Sequence, residues 1–148
     1  MKSLQAYSII AGAVCVALID GWVKFLAISQ FAGLKHVAGG FGLTLHKNPG
    51  IAFDIPIPIW IIAPITLVIG LWLVAFAKRH WLADQKPAAL AAMSIIIGAS
   101  GNLLDRLING FTTDYILLFG VTVINLADIL IVVGISMLLW YTRDKKAH

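Results

Sequence analysis

The sequence predicts an all-α membrane protein: four transmembrane helices with a small extramembrane β-platform after the first helix. Three observations carry that prediction. Apolar residues make up 60% of the 148-residue chain and charged residues only 12%, whereas soluble domains carry roughly 25% charged residues. Four apolar runs, at about 7–31, 59–77, 87–108 and 121–141, are long enough for a hydrocarbon core that takes about 20 helical residues to cross. Residues 32–56, by contrast, are broken by Gly33, Gly39, Gly40, Gly42, Gly50, Pro49 and Pro56, which argues against helix.

The first run, Tyr7 to Phe31, is longer than the 7–15 apolar residues of a cleavable signal peptide and contains Asp20 and Lys24, so it is expected to remain as a span. In the stretch after it, FGLTLH alternates as a short strand would. The second span carries Pro64 near its start and ends at Lys78, Arg79 and His80. Pro87 suits the first turn of the third helix. Residues 109–120 form a second connector, and the fourth span, Val121 to Tyr141, is followed by Arg143, Lys145 and Lys146. The length leaves room for one domain, residues 1–148.

The net charge of +4 lies beside the apolar runs, so it orients the chain in a membrane rather than binding nucleic acid. Lys2, Lys78, Arg79, Lys86, Arg143, Lys145 and Lys146 then share the cytoplasmic side with both termini. Both connectors lie on the opposite face. The single cysteine, Cys15, sits in an apolar run and forms no internal disulfide.

Ionisable groups are costly inside a bilayer and mark functional candidates. Here they gather at one depth, toward the far face. Asp20 and Lys24 are one turn apart and can pair. Gly98, Asn102 and Arg106 form a stripe on the third span, with Gly101 and Asp105 beside it. The two glycines suit close helix packing, Arg106 can orient a carboxylate or a loop carbonyl, and Asp105 is either support or a helix-end charge facing water. Asn125 and Asp128 share a face at the entry of the fourth span, and a connector that folds back would bring Asp114 to Asp128.

Two close carboxylates cannot both ionise cheaply, so one keeps a proton while the other acts as a base. Such a pair suits hydrolysis of a peptide by water. None of the four histidines has ligand spacing with another His, Cys or acid, so no metal or cofactor is expected.

Five motifs in order resemble the lipoprotein signal peptidase (signal peptidase II) family: D-x-x-x-K at Asp20 and Lys24; N-x-G-x-A-F at Asn48, Gly50, Ala52 and Phe53; G-A-x-G-N-x-x-D-R from Gly98 to Arg106; D-Y at Asp114 and Tyr115; and N-x-A-D from Asn125 to Asp128. The resemblance implies a bacterial inner-membrane aspartyl endopeptidase that cuts lipid-modified precursor proteins before a diacylglyceryl cysteine. It implies Asp114 and Asp128 as the catalytic pair. Asp20, Lys24, Asn48, Gly50, Gly101, Asn102, Asp105, Arg106 and Asn125 are then substrate-binding or supporting residues. A monomer among membrane lipids is expected. The first motif reads DGWVK where the family usually has D-Q-x-S-K, and Ile124 precedes Asn125 where the family usually has Phe. A relative that binds lipidated peptides without cutting them, or with altered specificity, stays open as an alternative, as does a small proton-coupled transporter.

Overall fold

The large apolar side chains of this molecule point outward and its small and charged ones point inward. In α1 (Ser3–Gln30), Leu18 and Trp22 are 69% and 63% exposed while Asp20 between them is 1% exposed. That inversion is the expected signature of helices solvated by lipid. The computed structural model describes residues 3–30, 36–38, 40–51 and 55–144.

The four spans are α1, α2 (Ile59–Leu82), α3 (Lys86–Asn109) and α4 (Leu126–Asp144). A 24-residue helix such as α2 or α3 rises about 36 Å, enough to cross a hydrocarbon core about 30 Å thick. Helix α3 is the hub and packs on α1, α2 and α4. Its N-terminal half is a run of buried, mostly small residues, Ala88 to Ala92, and Ala92 packs against Leu73 and Ala77 of α2. The contact with α4 is closest at two glycines. A Cβ on Gly98 would meet the Ala127 carbonyl at 2.5 Å, and one on Gly134 would meet the Ala91 carbonyl at 2.7 Å. With no large apolar surface to hide from water, close backbone packing of this kind is what holds helices together in lipid.

The β-platform contains four strands, β1 (His36–Ala38), β2 (Phe41–Asn48), β3 (Thr112–Leu118) and β4 (Thr122–Ile124), in an antiparallel sheet of that order. This corrects the expectation for 109–120, which is a strand-forming segment as well as a connector. It also moves the start of the fourth span from 121 to Leu126. The reason is local. TTDYILL and TVI are rich in β-branched and aromatic residues, and Phe119 and Gly120 between them are both left-handed, at φ 50° and 69°. Two successive positive φ values are what a tight type I′ hairpin turn requires. Of the platform motif, Ala52 and Phe53 lie outside the described residues.

Sheet register does the positioning. Ile116 pairs with Ile124, so two residues further along β3, Asp114 comes beside the first residue of α4. On its other side β3 pairs with β2, with Asn48 opposite Thr112 and His46 opposite Asp114. The register shifts by one between Leu43 and His46, a bulge that re-aims the side chains beyond it.

Candidate active site

Alternation along β3 sends Thr112 and Asp114 to one face and Thr113 and Tyr115 to the other. The first face borders a cavity of about 490 Å³ among the sheet-proximal ends of α2, α3 and α4. Asp114 and Asp128 both line it, with Asn48, Asn102, Arg106 and Thr112, and with Ile62, Ile131 and Val132 on its apolar side. The folded-back connector expected from the sequence therefore does bring the two aspartates to one cavity.

Asp114 is 2% exposed. Its Oδ1 accepts from Asn125 Nδ2 at 2.6 Å and its Oδ2 from Asn48 Nδ2 at 3.3 Å. Burial, and next the negative charge of Asp128, push its pKa up to about 6, against the opposing hydrogen bonds from Asn125 and Asn48 and the charge of Lys24. Asn48 is held in turn, its Oδ1 accepting from Gly50 N at 3.0 Å.

Asp128 sits three residues past Asn125 in the first turn of α4. Asn125 Oδ1 accepts from Asp128 N at 2.9 Å, and Asp128 Oδ2 accepts from Asn125 N at 3.2 Å. This is a reciprocal capping box. Asp128 Oδ1 accepts from Asn102 Nδ2 at 2.8 Å. Asn125 thus touches both aspartates, one through its amide nitrogen and one through its backbone.

The groups beneath this pair form a second layer. Asp20 Oδ1 accepts from Leu126 N at 3.0 Å, Ala127 N at 3.3 Å and Tyr115 Oη at 3.0 Å. Together Asp20 and Asn125 satisfy the first three backbone N–H groups of α4, which no intrahelical carbonyl can reach. Burial, and then the charge of Asp20, push the Tyr115 phenol up, so it stays a donor. Lys24 Nζ lies 2.8 Å from Asp20 Oδ2 and 3.5 Å from Asp105 Oδ2, and donates to Asn102 Oδ1 at 2.7 Å. Lys24 is therefore more than a neutralising partner for Asp20.

Asp105 does not face water. It is 7% exposed and accepts from Thr113 N at 2.7 Å and Asn109 Nδ2 at 2.7 Å, which ties the end of α3 to β3. Arg106 donates from Nε and Nη2 to the Gly50 carbonyl at 3.2 and 2.7 Å, the loop-carbonyl option of its two sequence readings. Gly50 has no room for a side chain, since a Cβ there would overlap the Ile55 carbonyl. Gly101 faces Ala127 and Asp20 at ordinary contact distance. Thr113 has no place among the sequence candidates and Tyr115 enters only as the second residue of the D-Y motif, although the period-2 pattern of TTDYILL offers the signal that sets both opposite Asp114.

The family model for signal peptidase (SPase) II matches residues 12–143. The chain belongs to the signal peptidase II family. It is 34% identical over 140 residues to the lipoprotein signal peptidase of Brevibacillus brevis, covering 90% of this chain and 91% of that one. It is 35% identical over 124 residues to the lipoprotein signal peptidase of Azoarcus sp. strain BH72, covering 78% and 69%. The fold matches a bacterial membrane enzyme solved by the in meso method at 2.3 Å resolution, with a TM-score of 0.82, 23% identity, and coverage of 99% of this chain and 92% of that one. Membership makes the chain a membrane peptidase, and its four helices have the length and composition of spans.

Proposed function

We propose that the protein is an aspartyl endopeptidase of the bacterial inner membrane that removes the signal peptide from diacylglyceryl-modified lipoprotein precursors, cutting before the lipobox cysteine. It acts as a monomer, with both termini cytoplasmic and the cavity at the outer face. The basic residues gathered at one end of the spans support that orientation. The lipoprotein signal peptidases it resembles support the substrate class.

One observation carries the chemistry: Asp114 and Asp128 line one cavity, and the charge of Asp128 helps to raise the Asp114 pKa. Asp114 is then the acid. Asp128, whose two oxygens already accept hydrogen bonds, is the base. Asp128 takes a proton from water as the water oxygen attacks the peptide carbonyl, and Asp114 gives its proton to the departing amine. Lys24 and Asp20 hold the pair in place, through Asn102 and the first turn of α4, and Asn102 donates directly to Asp128 Oδ1. The apolar side of the cavity lies within the span of the helices, where a lipidated peptide can arrive sideways from the bilayer.

Cleavage of a diacylglyceryl-modified precursor by purified protein tests this. Asp114→Asn and Asp128→Asn each lower kcat/KM by about 10³-fold or more, and the double variant is no worse than either single one. Substantial activity in Asp114→Asn sinks the pair.

A further inference from the structure

One polar group at the cavity is not used by the chemistry above. Thr112 is 2% exposed, and its Oγ1 is shielded without a hydrogen-bond partner among the described residues. Buried hydroxyls nearly always have partners, so an exception calls for an explanation. The neighbours offer none. Asn48 Nδ2 is engaged with Asp114, Asn102 is engaged at both its oxygen and its nitrogen, and Arg106 holds the Gly50 carbonyl.

Position supplies a reason. Thr112 lines the same cavity as the two aspartates and stands two residues from Asp114 on the same face of β3. Two strand residues span about 6–7 Å, which is also two residues of an extended peptide. A substrate chain that runs alongside β3 with its scissile carbonyl at the aspartates brings a main-chain polar group to Thr112.

The geometry points to Thr112 as a substrate-binding residue whose hydroxyl, closed off in the free protein, turns about χ1 to hydrogen-bond the precursor main chain about two residues from the scissile bond. This rests on the peptidase reading. It adds a contact by which the sheet, and not only the helices, fixes the register of the peptide against Asp114 and Asp128.

The test pairs Thr112→Val, which keeps the shape and removes the hydroxyl, with Thr112→Ser, which keeps the hydroxyl. Each is compared with wild type for cleavage of a diacylglyceryl-modified precursor and for thermal unfolding in detergent. Thr112→Val is expected to lower kcat/KM about tenfold, the loss of one hydrogen bond in the complex, while unfolding at a higher temperature than wild type because an unpaired buried group is gone. Thr112→Ser stays within about threefold of wild type, since one hydroxyl replaces another.

A Thr112→Val protein that cleaves at the wild-type rate overturns the inference, because the hydroxyl then serves only the fold. So does one whose activity and unfolding temperature fall together, or a Ser variant as impaired as the Val variant. Failure of wild type itself to cleave the precursor removes the peptidase reading, which is a separate result.

Discussion

The half of the bundle that holds the cavity (the outer half) and the opposite one (the inner half) are built from the same four helices on opposite principles. The outer half buries Asp20, Lys24, Asn102, Asp105, Asp114 and Asn125 and ties each to one or more partners from another element. The inner half buries mainly alanines and leucines, with Ser94 and Lys86 as its buried polar residues on the helices. Charges in a low-dielectric interior tolerate only an arrangement that satisfies all of them, so the outer half is rigidly specified. The inner half needs only small residues at close approach. A proton conduit would need polar groups through the whole depth, and between the outer layer and Lys86 the buried polar residues on the described helices come down to Ser94.

The largest effect that tests this contrast is on stability. Lys24 Nζ faces Asp20, Asp105 and Asn102 together and is 4% exposed. Lys24→Met leaves two buried carboxylates without their cation and should cost about 3–5 kcal/mol, read from denaturant unfolding in detergent. Adding Asp105→Asn to that variant should recover part of the loss. A cost below about 1 kcal/mol, the range of exposed pairs, would mean that the outer layer is solvated.

How much of this was legible in the sequence divides along the same line. The inner half was readable because length and hydropathy alone define a span. Helix α2 runs past the apolar stretch that ends at 77, on to Leu82, because Lys78, Arg79 and His80 end the apolar run and are still tolerated in a helix. In the outer half, motifs named the residues but not their partners. Asp20 was readable as a pair for Lys24, one turn away, but its bonds to Leu126 and Ala127 join residues more than a hundred apart. Helical periodicity says nothing about such a contact. Asp105 was ambiguous for the same reason, since its partner Thr113 lies across the Gly110 turn that ends α3. The strands β3 and β4 were missed although their signal was present, because an apolar run leading into a span looks the same whether it begins as strand or helix.

The titration of Asp114 gives a smaller effect with a definite sign. Its pKa is raised from 3.8 to about 6 in the fold, so between those values the folded state binds the proton more tightly than the unfolded chain. Stability therefore falls as pH rises through that window, and the full cost persists above it. Asp114→Asn removes the titration. Relative to wild type it should gain stability between about pH 4 and 6, by on the order of 2–3 kcal/mol, and hold the gain at higher pH. The free enzyme should lose kcat/KM above about pH 6 as the acid deprotonates. An Asn variant whose advantage shrinks with rising pH would reverse the assignment of acid and base.

The smallest effect comes from making the Lys24 substitution in the other half. Lys86, at the start of α3, donates to the Trp81 carbonyl at 3.1 Å, lies 4.1 Å above the Trp81 ring and pairs at 3.4 Å with Asp84. On paper its contacts are as many as those of Lys24. The difference is in the partner, because the Asp84 carboxylate is 85% exposed and stays hydrated when the lysine is removed. Lys86 is itself buried, but with a hydrated charge partner Lys86→Met should cost only about 0.5–1 kcal/mol, the scale of a cation–π contact and a screened ion pair, and leave cleavage unchanged. Salt at about 0.5 M should shrink that cost, since screening reaches exposed pairs, and leave the cost of Lys24→Met in place. Equal costs for the two lysines, or equal sensitivity to salt, would mean that what separates the halves is residue type alone and not the burial of each lysine's charge partner.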